Sequence, residues 1–133
     1  MTLHATPASV PTARRWFRML TARLDLLCSV DECVLLISEL VTNAIAYAKV
    51  EVPWLVRIEW YRAGTTLRIE VHNPASSEPV RLVHAHPADE HGRGLLLVDS
   101  LSDEWSVGCS SHGGTVVAFS LHQALPTEQQ PVS

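Results

Sequence analysis

The sequence Ser-Glu-Leu-Val-Thr-Asn-Ala at residues 38–44 places two polar side chains within an otherwise apolar helical pattern. Glu39 and Asn43 are four residues apart, so on an α-helix they are neighbours on one face. Ser29 followed by Glu32 is a capping-box pattern, which predicts where this helix begins. The apolar residues of the pattern are Val34, Leu35, Leu40, Val41, Ala44, Ile45 and Ala48. The stretch therefore predicts an amphipathic helix with a carboxylate and an amide on one stripe.

The Glu39/Asn43 pair has two interpretations. A lone pair with this spacing is most often a solvent-facing feature of an amphipathic helix. It also suits a magnesium and phosphate site, because the Asn43 amide oxygen can ligate a hard cation that shares phosphate oxygens. The Glu39 carboxylate, one turn away, could then orient or deprotonate an attacking group. The pair alone leaves both interpretations open.

Length and composition narrow the class of protein. A chain of 133 residues with 47% hydrophobic and 18% charged residues is typical of one globular domain. The net charge of -4 and the scattered basic residues argue against direct nucleic-acid binding. No apolar run approaches membrane-spanning length, and residues 1–7 lack a signal-peptide pattern, so we expect a cytoplasmic protein without a membrane segment. The three cysteines form no C-x-x-C pair, and we interpret them as small core residues.

The order of predicted elements indicates the fold class. We expect a flexible N-terminus at residues 1–8, a first helix from about Pro11 to Leu24, one domain over residues 9–122 and a disordered tail at 123–133. Alternating residues predict strands at 54–61, 66–72, 104–108 and 115–121, paired as two hairpins, with a short helix at about 92–102 between them. This order predicts an α+β two-layer sandwich with a mixed, mainly antiparallel sheet and helices on one face.

Period-two alternation also predicts which side of the first hairpin is buried. The residues expected in the core are Val56, Ile58, Trp60, Leu67, Ile69 and Val71. The residues expected in solvent are Arg57, Glu59, Arg68 and Glu70. Between residues 73 and 92 the periodicity fails, and a connection of this length inside a small domain is usually a lid or binding loop.

Three further motifs carry candidate chemistry. Asn73 ends the second strand, where a polar side chain could recognise a base edge. The glycines of Gly-Arg-Gly-Leu at 92–95 lead into a predicted helix N-terminus, where backbone N–H groups can approach phosphates. Gly-Gly-Thr at 113–115 begins the last strand and could supply a hydroxyl to the same pocket. Each motif is weak alone, but together they form an ordered set.

This ordered set resembles the motifs of the ATP-binding domains of histidine kinases, gyrases, heat-shock chaperones and mismatch-repair ATPases, the GHKL superfamily with the Bergerat fold. Residues 38–44 and His-Gly-Arg-Gly-Leu at 91–95 most resemble the small anti-sigma-factor serine/threonine kinases and their actinobacterial relatives. The resemblance covers residues 9–122. It implies ATP and Mg²⁺ as cofactors, phosphoryl transfer to an anti-sigma-factor antagonist protein, a sigma factor held inactive, and a homodimer.

The resemblance also implies roles for single residues. Asn43 resembles the Mg²⁺ ligand of the nucleotide site, and Glu39 resembles the catalytic base. Asn73 stands where the family usually has an aspartate that accepts a hydrogen bond from the adenine amino group. Thr115 matches a hydroxyl near the base, although Gly114 replaces a common lysine.

The glycine motif supplies the phosphate contacts that the resemblance implies. Gly92 and Gly94 flank Arg93, whose side chain could reach the terminal phosphate. The N–H groups of Gly94, Leu95 and Leu96 would cap that phosphate.

Three alternatives remain open from the sequence. The departures at Asn73 and Gly114 favour a nucleotide-dependent partner-binding module with little or no phosphotransfer, whereas the presence of Glu39 and Asn43 favours a kinase. A histidine-kinase catalytic domain is a second alternative, and no phosphoacceptor helix pair precedes this domain in the sequence. The lid also contains His84, His86 and His91. A zinc site there is disfavoured, because the spacing is irregular and no cysteine lies nearby.

Overall fold

The computed structural model describes residues 1–4, 6, 8–46, 55–73, 98–111 and 113–127. In chain order, the elements of these residues are β1 (Thr2–His4), α1 (Ser9–Leu24), α2 (Val30–Ala46), β2 (Leu55–Ala63), β3 (Thr66–Asn73), β4 (Glu104–Cys109) and β5 (Thr115–Leu121). The strands form one sheet in the order β1-β2-β3-β5-β4, and every neighbouring pair is antiparallel. The predicted α+β architecture is confirmed.

Helix α2 begins where the capping-box pattern predicts. The backbone N–H of Glu32 donates to Ser29 Oγ at 3.3 Å, so the serine satisfies one of the amide groups that the first turn leaves unpaired. Asp31 and Glu32 lie in this first turn, where their negative charge is favourable to the helix dipole. Among the described residues, no helix is both long and apolar enough to cross a bilayer.

The core lies between the two helices and one face of the sheet. Helix α1 contributes Ala13 and Phe17, and α2 contributes its buried apolar stripe. The sheet contributes alternate residues from four strands, which include Ile58, Ile69 and Phe119. The core residues of α2 are Cys33, Val34, Leu36, Ile37, Leu40 and Val41. We call the other side of the sheet, which carries Arg57, Glu59, Arg68, Glu70 and His72, the far face.

The β2–β3 hairpin has the predicted sides but differs in burial at three residues. Trp60 lies on the core side, opposite Ile69, but remains 37% exposed. The expected burial of Trp60 was wrong because alternation determines the side of a sheet and not whether a helix covers that point. Glu59 and Glu70 were expected in solvent, yet their side chains are only 16% and 18% exposed, because they pair with charged neighbours on the far face.

Residues 2–4, within the segment that was expected to be flexible, form a strand of the sheet. In this strand, β1, Leu3 stands opposite Val56 and is buried. The terminal amino group of Met1 donates to the carbonyl of Ile58 at 3.0 Å. A strand of three residues is too short to show periodicity, so the sequence could not reveal it.

The expected disorder from residue 123 onward is also wrong as far as residue 127. Ala124 and Leu125 are fully buried, and both of their N–H groups donate to the carbonyl of Thr65, at 2.9 and 3.0 Å. The carbonyl of Ala124 accepts a hydrogen bond from Leu27 at 2.8 Å. The tail thus closes the hairpin end of the core. Residues 128–133 lie outside the described residues.

The cysteines differ in their surroundings. Cys33 is buried and Cys28 is half-buried, with 3.6 Å between their Sγ atoms. Burial, with a smaller contribution from neighbouring Cys28, raises the pKa of the Cys33 thiol. Cys109 is exposed on β4, so its expected place in the core was wrong.

Replacement of Leu125 by alanine tests the docking of the tail. Because the side chain is fully buried, we expect Leu125→Ala to lower the free energy of unfolding by about 2–5 kcal/mol. Urea denaturation measures this change, and Leu27→Ala, at an exposed leucine, is the control with little expected effect. Equal stability of the two variants would contradict a docked tail.

Candidate functional site

A pocket lies between α2 and the adjoining ends of β3 and β5. It is a small concavity with a cavity volume of about 10 Å³, and it opens to solvent. Its lining is mostly apolar with three polar side chains, which is the usual composition of a small-molecule site. The lining residues are Leu40, Asn43, Ala44, Val71, Asn73, Thr115 and Val117.

The regular geometry of a helix and a hairpin brings these residues together. Leu40, Asn43 and Ala44 are three and four residues apart, so they share one face of α2. The sheet contributes two cross-strand pairs, in which Val71 lies opposite Val117 and Asn73 lies opposite Thr115. These residues of β3 and β5 are two apart along each strand, so all four side chains are on the same side of the sheet.

Asn43 is the most unusual residue of the pocket. It is only 6% exposed, and neither Nδ2 nor Oδ1 has a hydrogen-bond partner within the described part of the chain. A buried amide in this state costs about 1–3 kcal/mol for each unsatisfied group. Its position on the pocket wall makes Asn43 the strongest candidate in the pocket for contact with a ligand.

Asn73 is buried on the opposite wall, where it connects the sheet to the helix. Its Nδ2 donates to the backbone carbonyl of Ala44 at 2.9 Å. Only the NH₂ group of an amide can donate, so this bond determines which way the side chain is turned. An aspartate at this position would place a carboxylate against the Ala44 carbonyl, and two acceptors would then face each other. An asparagine at this position therefore suits the Ala44 carbonyl, whereas an aspartate would not.

Thr115 and Glu39 differ in their relation to the pocket. Thr115 is buried between Asn73 on β3 and Cys109 on β4, and it lines the pocket. Glu39 is half-buried on α2, one turn before Asn43, but it is not among the lining residues. The structure thus brings Asn43, Asn73 and Thr115 together and leaves Glu39 beside them.

The phosphate motif cannot be compared with this pocket. Gly92, Arg93, Gly94, Leu95 and Leu96 lie outside the described residues, as do the lid histidines His84, His86 and His91. The described chain resumes at residue 98 with a helical segment, whose last turn is closed by the N–H of Ser102 and the carbonyl of Val98.

The apolar part of the site was not predicted from the sequence. No binding role was expected for four apolar residues that line the pocket, Leu40, Ala44, Val71 and Val117. Their spacing around Asn43 and the strand pairing could have indicated this. His72 directly precedes Asn73, but adjacent strand residues point to opposite sides, so His72 lies on the far face.

A family model of the histidine kinase-like ATPase domain matches residues 3–121, almost the whole chain. The protein belongs to this family. The match confirms the superfamily that the motifs predicted, and it begins within β1 and extends to the end of β5. A search of curated proteins found no significant match. Domains of this family bind ATP, usually with Mg²⁺, so an ATP-binding regulatory function is supported.

The residues of the pocket fit this nucleotide. The unsatisfied amide of Asn43 offers an oxygen ligand to a hard cation, and the apolar side chains beside it offer a surface of the kind that contacts a base. The chemistry of the donor set is thus consistent with the cofactors of the family.

Two leucine substitutions test whether the two buried amides have opposite effects on stability. We expect Asn43→Leu to raise the free energy of unfolding without nucleotide by about 1–3 kcal/mol, because it removes unsatisfied polar atoms. Asn73→Leu should lower it by about 1–3 kcal/mol, because the carbonyl of Ala44 then loses its donor. Urea denaturation compares both variants with the wild type. A loss of stability in Asn43→Leu as large as that in Asn73→Leu would show that Asn43 is structurally satisfied.

Proposed function

We propose that the protein binds Mg-ATP in the pocket between α2 and the ends of β3 and β5, and that it transfers the γ-phosphoryl group to a serine or threonine of a partner protein. The observation that carries this proposal is the buried amide of Asn43, which lacks partners on a pocket wall in a histidine kinase-like ATPase domain. The resemblance of residues 38–44 and 91–95 to anti-sigma-factor kinases supports the choice of acceptor.

One polar residue of the pocket would bind the metal ion, and the other two would bind the adenine base. Asn43 would hold Mg²⁺ through Oδ1, and the bound ion would supply neutralisation of the phosphate charge. Asn73 and Thr115, opposite each other on β3 and β5, would contact the adenine edge, while Val71 and Val117 would cover its face. By the resemblance, the motif from Gly92 to Leu96 completes the phosphate site.

The proposed transfer needs a base and a positioned hydroxyl. The acceptor hydroxyl oxygen attacks the γ-phosphorus, its proton passes to the Glu39 carboxylate, and the bond from the γ-phosphorus to the β-phosphate oxygen breaks to release ADP. Glu39 is half-buried beside the pocket, so a substrate hydroxyl can approach it from the protein surface. Arg93 would stabilise the charge on the transferred group.

The resemblance further suggests the partners. We infer that the acceptor lies on an anti-sigma-factor antagonist, and that the protein is a cytoplasmic anti-sigma factor that holds a sigma factor inactive, acting as a homodimer. The acidic net charge of -4 is consistent with protein partners and does not favour direct contact with nucleic acid.

A second candidate function is a nucleotide-dependent binding module that does not transfer phosphate. Two observations favour it: Glu39 is absent from the pocket lining, and an asparagine matched to the Ala44 carbonyl replaces the family's aspartate. Nucleotide binding is common to both candidates. Phosphoryl transfer separates them.

Isothermal titration with ATP tests the binding step. We expect saturable binding that weakens without Mg²⁺, and we expect Asn43→Ala to weaken it by about ten- to a hundredfold, the effect of losing one interaction with a charged group. Thr42→Ala, at the exposed neighbouring residue, is the matched control and should bind like the wild type. No ATP binding by the wild type, or equal binding by Asn43→Ala, would contradict the proposed site.

Substitution of the base tests the transfer step. We expect Glu39→Gln to keep ATP affinity and to lower phosphorylation of the partner by about 10²–10⁴-fold, because the neutral amide cannot accept the hydroxyl proton. Glu32→Gln, at an exposed carboxylate of the same helix, is the control. Phosphorylation can be measured with labelled ATP and an anti-sigma-factor antagonist. Unchanged transfer by Glu39→Gln would remove Glu39 from the mechanism, and ATP binding without any wild-type transfer would favour the binding module.

A further inference from the structure

A second cluster of chemically active side chains lies on the far face of the sheet. Glu59 on β2 stands directly opposite Glu70 on β3, and His72 follows two residues after Glu70 on the same side. One ligand atom from each of these three residues lies within 4.8 Å of the other two. The cluster belongs to neither the pocket nor the proposed phosphoryl transfer.

Each carboxylate directs one oxygen, the inner one, at His72, and the other oxygen, the outer one, away from His72. The inner oxygens lie near His72 Nε2, at 3.5 Å for Glu59 Oε2 and 3.1 Å for Glu70 Oε1. The outer oxygens are paired with arginines, Glu59 Oε1 with Arg57 at 2.6 Å and Glu70 Oε2 with Arg68 at 3.0 Å. The hydroxyl of Tyr61 also donates to Glu59 Oε2. These contacts hold both carboxylates in place with an oxygen directed at the imidazole.

The imidazole is buried and held from its other side. The side chain of His72 is 4% exposed, and its Nδ1 lies 2.6 Å from Ser110 Oγ. A hydroxyl can donate to Nδ1 or accept from it, so this contact can support either neutral tautomer of the ring. Metal-bound histidines usually have such a partner at the nitrogen that does not bind the metal.

We propose that Glu59, Glu70 and His72 form a binding site for a divalent transition-metal ion, with Zn²⁺ as its representative. Ligand atoms around a tetrahedral Zn²⁺ with bonds near 2.1 Å are about 3.4 Å apart. The two distances from Nε2, 3.1 and 3.5 Å, lie on either side of this value. The three residues would provide one nitrogen and two oxygen ligands, and water would complete the coordination.

Metal binding requires only that the ring proton of His72 lie on Nδ1 and not on Nε2. In the metal-free site, the contact with the Glu70 carboxylate suits a ring proton on Nε2, and Nδ1 can then accept from Ser110 Oγ. In the metal-bound site, the ion takes the lone pair of Nε2, and the neutral ring carries its proton on Nδ1, where it donates to Ser110 Oγ. Solvent carries out the exchange between the two nitrogens.

The two arginines beside the cluster limit which metal ions can bind there. The guanidinium groups of Arg57 and Arg68 disfavour any cation, so binding depends on the strong bond between an imidazole nitrogen and a transition metal. Mg²⁺ gains little from such a nitrogen, and the site should discriminate against it. Ion binding at His72 would also brace the strand end that carries Asn73, from the side opposite the pocket.

Titration of the metal-free, full-length protein with Zn²⁺ in competition with a chromogenic chelator tests the site. We expect one ion per chain, no competition by Mg²⁺, and visible absorption typical of tetrahedral coordination when Co²⁺ is used. His72→Gln and Glu70→Gln should each weaken binding by more than about tenfold, and Ser110→Ala by about 10–100-fold, the usual effect of losing a partner of a metal-bound histidine.

Two control variants test whether other histidines of the chain account for the Zn²⁺ binding. Glu104→Gln alters a carboxylate whose Oε2 lies 3.6 Å from His122 Nε2 in an exposed pair, and it should leave binding unchanged. A variant with His84, His86 and His91 all replaced by asparagine should also bind like the wild type. Circular dichroism checks that each variant folds. Lack of saturable Zn²⁺ binding by the wild type, wild-type affinity in folded His72→Gln and Glu70→Gln, or loss of binding in the lid variant would each overturn the proposal.

Discussion

The hydrogen bond from Asn73 to the carbonyl of Ala44 is the contact on which the candidate site depends. It joins the last residue of β3 to α2 at 2.9 Å, where the helix passes over the sheet. Because Asn73 is buried and Ala44 is half-buried, the loss of either partner would leave the other only partly compensated by solvent. The bond therefore fixes the distance between the helix wall and the sheet wall of the pocket, and with it the position of Asn43.

The pocket illustrates how a binding site can lower stability. The same wall that holds Ala44 also carries Asn43, whose amide is buried without partners in the described protein. An apolar residue of similar shape would pack there more favourably, but it would offer nothing to a metal ion or a phosphate. The unsatisfied amide is best understood as a group prepared for a ligand, and the surrounding core supplies the stability that it costs.

The third strand carries residues of both proposed sites because its side chains alternate between the two faces of the sheet. Val71 and Asn73 line the pocket, whereas Glu70 and His72 lie on the far face with Glu59. Ser110 extends the connection, since its hydroxyl contacts His72 and the turn after it leads to Thr115 on the pocket side. Residues of the two proposed sites are therefore only one position apart along the backbone of this strand.

The sequence by itself determined helices α1 and α2, strands β2 to β5, the sides of the β2–β3 hairpin, the start of α2 and the family, because these depend on local periodicity, capping and motif order. The three polar residues of the pocket followed from the same motifs. Tertiary structure alone decided that Leu3 and Leu125 are buried, since three-residue strands and short tails carry no period and acquire order only from what they contact. It also decided that Glu59, Glu70 and His72 converge, because strand register and the arginine pairs, not sequence spacing, bring those atoms together. The physical reason is the distance along the chain over which each interaction acts. Local patterns act within a few residues, whereas burial and side-chain convergence depend on packing between distant segments.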